Sequence, residues 1–331
     1  MKVLVTGATG YIGHQLALKL ADQNYEVHAL LRNLNSTKIP RHDNIIPFRG
    51  NICAYDTVQK AIKQCDYVFH TAAFTDLKYH KIDKFYNTNV VGTKNVLEAS
   101  LRENVKKVVY TSTLSTFGPA LYKTPITEEQ PRLESYANDY ELTKSMSEEV
   151  VAEYVEKGVF CTILSPTRVY GPGLKTYSNG VNAIISKILH DKVLFVPSKL
   201  DVEANYVFID DVVNAELLAL KNGKAGEKYI IGGENSDYKT LFSYIKNISK
   251  SKISIFQINY DLVKNCIAFI NNVNAAFGKS FLLTPQVLDS LFTNRSASSQ
   301  KAVSTLNYRI TPLKTGLKQT INYLSKYNDH G

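Results

Sequence analysis

Residues 136–144 read YANDYELTK, and the pair able to do chemistry is Tyr140 with Lys144, four residues on. On a helix, residues i and i+4 share a face, so the phenol and the ammonium can converge on one site. A free phenol ionises near pH 10, too high for easy proton exchange at neutral pH. A nearby ammonium favours the phenolate and lowers that value, which is the expectation for Tyr140. Reduction of a ketone uses such a pair, because charge developing on the carbonyl oxygen needs a hydrogen-bond donor and a proton. The spacing alone carries little. With 21 tyrosines and 31 lysines, roughly two such pairs arise by chance. There are two, Tyr140/Lys144 and Tyr260/Lys264, and their surroundings must separate them.

Upstream of the first pair, residues 6–13 read TGATGYIG, with Gly7, Gly10 and Gly13 in G-x-x-G-x-x-G spacing. They lie between an apolar run at 2–6 and a helix-period segment at 12–23. Glycines at a strand-to-helix turn permit a tight bend and close approach of a pyrophosphate, and the helix N-terminus adds amides and a positive dipole end. That strand-then-helix context makes the glycine pattern informative. Thr111, Ser112 and Thr113 run off a strand pattern at 107–112 and offer a hydroxyl to the same site. Tyr260/Lys264 has neither feature before it and reads as surface or core filler.

The elements that must position these residues alternate. Strand patterns at 2–6, 26–31, 45–48, 66–70, 107–112 and 159–165 are interleaved with helical patterns at 12–23, 55–64, 83–103 and 137–157. Such alternation predicts an α/β fold with a doubly wound parallel (Rossmann) sheet and right-handed crossovers. After Tyr170-Gly-Pro-Gly173 the rhythm changes: strands are expected at 205–209 and 228–232, a helix at 211–221, and mixed helical structure beyond 234. The expected organisation is a dinucleotide-binding domain over 1–172 and 204–232, with a smaller, discontinuous substrate-binding cap over 173–203 and 233–331.

Composition excludes other classes. The chain has 331 residues, 44% hydrophobic and 21% charged, which suits a globular protein. No apolar run reaches the length of a membrane span, and the stretch 261–277 reads as a buried helix. The opening MKVLVTGATG enters a strand pattern directly, which argues against a signal peptide. Cys53, Cys65, Cys161 and Cys266 are scattered, which fits reduced thiols, a cytoplasmic location and no metal site. Net charge is +9, but lysines outnumber arginines 31 to 8 without a basic run, so a solvated lysine-rich surface is expected and a nucleic-acid partner is not.

The chain resembles the extended short-chain dehydrogenase/reductase family, the epimerase/dehydratase superfamily, over nearly its whole length. The resemblance is carried by TGATGYIG, GNI at 50–52, HTAA at 70–73, NVVGTKNVLEAS at 89–100, YTSTLSTFG at 110–118, PTRVYGPG at 166–173, FIDDVVNA at 208–215 and KAVSTLNYRITPL at 301–313. Within the family it looks most like the dihydroflavonol-reductase and 3β-hydroxysteroid-dehydrogenase branch. The resemblance implies catalysis by Tyr140 and Lys144 with Thr113, 27 residues upstream, as the hydroxyl, and Ser112 as the fallback. It implies cofactor contacts from Gly7, Thr9, Gly10, Tyr11, Ile12, Gly13, Ile52, Thr71, Ala72, Ala73, Thr111, Lys144 and Pro166. Asn51 stands where the family usually has Asp against the adenine amine, and its carbonyl oxygen can still accept that bond. Asn89 is implied near the active site as a further cofactor contact, with its side chain pinning the backbone of strand 66–70. Tyr136 is a candidate wall of the pocket. A homodimer through helices 83–103 and 137–157 is also a family expectation.

Where NAD-using relatives carry Asp at the end of the second strand, this chain has Leu31 followed by Arg32, with Ser36 and Lys38 nearby. A 2′-phosphate wants a cation and no anion, so NADP(H) is the preferred cofactor, with NAD(H) the other possibility. Leu114-Ser115 follow Thr113 where a sugar dehydratase would place an Asp-Glu pair. The arginine that nucleotide-sugar epimerases use on a pyrophosphate aligns with Ala204, and only Arg295 and Arg309 follow residue 173. The expected function is therefore an NADP(H)-dependent oxidoreductase interconverting a ketone and a secondary alcohol on a mostly apolar small molecule. An NAD(P)-dependent nucleotide-sugar epimerase is the first alternative, and a non-catalytic NADP-binding protein the second.

Overall fold

A computed structural model describes residues 1–76, 81–121, 124–176, 179–276 and 284–327. The first half runs β1 (Lys2–Thr6), α1 (Tyr11–Asp22), β2 (Glu26–Leu31), β3 (Ile45–Arg49), α2 (Tyr55–Ile62), β4 (Tyr67–His70), α3 (Ile82–Phe85), α4 (Gly92–Arg102), β5 (Lys107–Thr111), α5 (Asp139–Glu156) and β6 (Cys161–Pro166). The second half runs β7 (Arg168–Tyr170), α6 (Gly180–His190), β8 (Val193–Pro197), β9 (Glu203–Phe208), α7 (Ile209–Asn222), β10 (Lys228–Ile231), β11 (Glu234–Asp237), α8 (Tyr238–Ser249), β12 (Ser254–Ile258), α9 (Tyr260–Ala276), α10 (Pro285–Leu291), α11 (Gln300–Leu306) and α12 (Leu313–Tyr327).

Seven strands form one sheet in the order β10-β6-β5-β4-β1-β2-β3, and every pairing in it is parallel. Helices cover both faces, which is why β1, β5 and β6 are buried almost throughout and read as continuous apolar runs. Strand order reverses between β1 and β4, and in such sheets ligands bind outside the carboxyl ends of the strands at that switch point. Gly7, Thr71 and Thr113 follow β1, β4 and β5 there.

Two smaller sheets complete the chain: β11-β9-β7, and β12 beside β8. The short strands β7, β8, β11 and β12 are additions to the sequence expectation. Each gains its hydrogen bonds from a distant segment, as in the β12–β8 pairing of Ser254 with Val193. The helix expected at 83–103 is compound, with a π-helical turn at Tyr86–Val91 between α3 and α4. Such turns insert one residue into a helix and are frequent at functional sites.

The stretch 261–277 departs from expectation. Tyr260 and Ile267 of α9 are buried, but Leu262, Phe269 and Val273 are exposed, so the helix packs through one face only. Phe277 lies outside the described residues.

Candidate active site

The turn between β1 and α1 is built around backbone rather than side chains. Gly7 has φ +77°, a left-handed conformation open to glycine, and a Cβ there would lie 2.8 Å from the Ala72 nitrogen. A Cβ on Gly13 would lie 2.3 Å from the Gly7 carbonyl oxygen. Gly10 caps α1 without a side-chain hydrogen bond, and its own N–H closes the turn on the Gly7 carbonyl at 2.8 Å. The first turn of α1 holds no acidic residue. A pyrophosphate fits this cradle, because the amides at the helix start are left to an anion and no side chain blocks their approach.

Neighbouring residues support the same turn. Thr71 Oγ1 donates to the Thr6 carbonyl at 2.8 Å, and the Ala72 N–H reaches Thr6 Oγ1 at 3.3 Å. Ala73 follows, partly buried. Asn89 holds the chain just beyond β4 rather than β4 itself: Oδ1 accepts from the Phe74 N–H at 2.7 Å, while Nδ2 donates to the Phe74 carbonyl and to Thr143 Oγ1. Ile52 is buried against Gly92, and Asn95 donates to its carbonyl at 2.8 Å. Asn51 Oδ1 accepts the Cys53 N–H at 3.1 Å, shaping its own loop. Tyr11 turns its phenol away to the Gly171 carbonyl at 2.7 Å, and Ile12 packs against the core, so those two can serve a cofactor through backbone. Thr9 is partly buried beside them, and Pro166 ends β6 buried. Arg32 is exposed immediately after β2, whereas Lys38 donates to the Lys175 carbonyl at 3.1 Å.

Helix α5 begins at Asn138, whose side chain accepts the Glu141 N–H, and this cap sets Tyr140 in the first turn. The partly buried Tyr140 lies close enough to Thr113, just beyond β5, for that hydroxyl to favour the phenolate. Thr113 Oγ1 also accepts the Ser115 N–H at 3.2 Å. Ser112 is spent elsewhere: its hydroxyl donates to Glu148, which also takes Thr116 Oγ1 and the Lys228 ammonium. Of the two hydroxyls left open by the sequence, Thr113 is therefore the one that meets Tyr140.

Lys144 is 1% exposed. Its ammonium donates to the Tyr110 phenol at 2.6 Å and to the Thr111 carbonyl at 2.9 Å. Burial pulls it down to about 7, partly offset by Glu148 one turn on. The expectation that it lowers Tyr140 is corrected here. Burial pushes Tyr140 up to about 12, with the Thr113 hydroxyl acting the other way. The physical reason is that both groups lose water, and the lysine faces β5.

Three features were not legible in the sequence. Glu141, 3% exposed, receives Arg132 Nη2 on one oxygen and Arg295 Nη2 on the other, each at 2.8 Å. Arg295, one of the two arginines after residue 173, lies beside Ala204 through a parallel β-bridge. Its Nη1 is buried without a partner. Glu216 on α7 is fully buried, accepting Thr111 Oγ1 at 2.6 Å. Tyr136 bonds Ser145 at 2.7 Å under the Arg132 guanidinium. The rival pair is bridged: Asp289 takes the Tyr260 phenol at 2.6 Å and the Lys264 ammonium at 2.8 Å, a structural clasp between α9 and α10.

The model of a family described as the NAD dependent epimerase/dehydratase family matches residues 3–232. Sterol demethylase protein B of Methylococcus capsulatus is 28% identical over 254 residues, covering 75% of each chain. A 3-beta-hydroxysteroid dehydrogenase of Mycolicibacterium neoaurum is 25% identical over 99% of this chain and 92% of its own. UDP-glucose 4-epimerase of Thermotoga maritima, solved with UDP-glucose, has the same fold, with TM-score 0.83 at 23% identity over 99% of this chain and 100% of its own.

Proposed function

The chain belongs to the NAD dependent epimerase/dehydratase family, and from that premise we propose that it is an NADP(H)-dependent oxidoreductase interconverting a ketone and a secondary alcohol on a mostly apolar small molecule. The observation that carries this reading is that Tyr140 and the Thr113 hydroxyl meet at the carboxyl end of β5, with Lys144 buried one helical turn beyond and bonded to the Thr111 carbonyl at 2.9 Å. The names of the two curated relatives, a sterol and a steroid enzyme, support an apolar substrate.

A bound nicotinamide cofactor would supply the hydride. Gly7, Gly10 and Gly13 with the start of α1 would hold its pyrophosphate, and Arg32 the 2′-phosphate. Tyr140 gives its phenol proton to the substrate oxygen, and Thr113 steadies the phenol while that proton leaves. Lys144 has one N–H beyond the two spent on β5, suited to a ribose hydroxyl. The preference for NADP(H) rests on Arg32, exposed at the end of β2 where no carboxylate competes. In a fluorescence titration NADPH should bind at least about ten-fold tighter than NADH, and Arg32→Ala should remove most of that difference, as loss of a charge-assisted contact would. Equal affinities in the wild type would remove the argument for NADP(H).

Arg295, bridged through backbone to Ala204 where the family carries its phosphate-binding arginine, favours a second reading, a nucleotide-sugar epimerase: its guanidinium holds Glu141 through Nη2 and has Nη1 buried without a partner. A panel of apolar ketones and UDP-sugars separates the two. NADPH consumption with a ketone supports the oxidoreductase. Interconversion of a UDP-sugar without net cofactor turnover supports the epimerase and overturns it.

A further inference from the structure

We propose that Tyr110 is a positioning residue for Lys144. Its phenol oxygen and the Thr111 carbonyl fix two ammonium N–H bonds against β5, and its ring packs on His70, which a buried polar chain from Thr93 to Thr6 holds in place under the glycine turn. The proposal rests on the reading of Tyr140 and Lys144 as the reacting pair.

An ammonium has three donors and no acceptor. With two bonds made to β5, at 2.6 and 2.9 Å, the direction of the third is set by the protein before any ligand arrives. Tyr110 and Thr111 are neighbours on one strand, so their side chains point to opposite faces of the sheet. Thr111 turns its hydroxyl to Glu216 on α7 and leaves its carbonyl to the lysine. Tyr110 turns its ring to the α5 side, where the Lys144 ammonium meets its oxygen and the His70 ring packs beside it with centroids 5.5 Å apart. At 1% exposure, neither Tyr110 nor Lys144 can exchange these partners for bulk water.

Beside that ring the bonds run in one sense. The Thr93 hydroxyl donates to the Asn89 carbonyl at 2.5 Å, so its oxygen accepts from His70 Nε2 at 3.0 Å. His70 Nδ1 then accepts from the Thr6 hydroxyl at 2.7 Å, and Thr6 Oγ1 accepts the Ala72 N–H. Burial holds His70 neutral, down to about 3. The chain runs from α4 across β4 and β1, adjacent strands, and ends on Ala72, one of the residues a Cβ on Gly7 would strike. The other titratable groups around Lys144 are Tyr140 and Glu148 on its own helix, with Glu216 behind Thr111. Glu148 is shared with Lys228, so the nearest acceptors of the ammonium are neutral. Loss of the phenol oxygen leaves a buried N–H without a partner, which favours the neutral amine.

The test is an NMR titration of [13Cε]lysine in the full chain, with the Lys144 signal identified by its loss in Lys144→Met. Tyr110→Phe should shift the Lys144 midpoint down by at least one pH unit, a ten-fold loss of proton affinity. Thr93→Val, which leaves the phenol and both ammonium bonds in place, should leave the midpoint where it is. An unchanged midpoint in Tyr110→Phe overturns the proposal. Should Tyr110→Phe fail to fold, Tyr110→Met, which also lacks the oxygen, is titrated in its place, and an unchanged midpoint there overturns it. No turnover enters this measurement, so a failed substrate screen would sink the catalytic reading and not this one.

Discussion

Tyr140→Phe should lower kcat by about 10³-fold or more while leaving NADPH affinity within about three-fold of wild type, because a positioned proton donor typically contributes 10²–10⁴. The substitution removes one oxygen and keeps the ring, so the packing of the first turn of α5 survives. What is lost is the phenol oxygen beside Thr113 and the proton itself. Burial keeps that phenol protonated well above neutral pH, up to about 12, so it enters the reductive direction as a donor. Thr113→Val should cost less, since it leaves the proton in place and removes only its support. Stopped-flow and steady-state rates on the best ketone of the panel, beside NADPH titrations, check both. Wild-type turnover in Tyr140→Phe would sink the assignment and favour the non-catalytic reading.

Which parts of this site the sequence discloses follows from how far apart the partners are. The glycine turn is local: strand, glycines and helix follow one another in about twenty residues, and the spacing carries the geometry. Tyr140 and Lys144 are local for the same reason, one helical turn apart. Thr113 needed the strand end to be placed, and the family resemblance supplied its register. Asn89 was legible because its partner, Phe74, lies just beyond an apolar strand that ends nearby. The Glu141 clasp was not, since Arg295 is 154 residues away and meets it only when the segment after α10 lies beside β9. Tyr110 reads in sequence as one more apolar strand residue, and nothing local distinguishes a phenol facing a helix from one facing the core. The exposure of α9 was missed because a periodic apolar face shows that a helix has something to bury and is silent on whether the fold covers it.

Glu216 should make the protein lose stability as pH rises, by an amount that Glu216→Gln abolishes. The carboxyl is fully buried, one oxygen taking the Thr111 hydroxyl and the other without a partner. Burial pushes it up to about 8 from an ordinary 4.5, with the Thr111 bond acting the other way. A raised carboxyl keeps its proton in the folded state over a range where the unfolded chain has lost it. Its contribution is therefore most favourable below about pH 4.5 and is withdrawn as pH climbs to about 8. At roughly 1.4 kcal/mol per unit, that withdrawal is on the order of 4 kcal/mol, a large share of the typical 5–15 kcal/mol of a folded domain. Lys144 acts with the opposite sign from about pH 7 upward, since its lowered value makes the folded state release its proton first. The wild-type profile alone thus mixes two groups, and the difference between wild type and Glu216→Gln isolates the acid. Urea unfolding at pH 5.5 and pH 8 should show the variant gaining about 3 kcal/mol on the wild type between the two. The carboxamide places an N–H₂ where the second oxygen had no partner, so the variant should start below wild type at pH 5.5 and overtake it at pH 8. Parallel profiles would mean that Glu216 ionises normally in the folded protein, and that water or a rearranged α7 reaches it beneath β5.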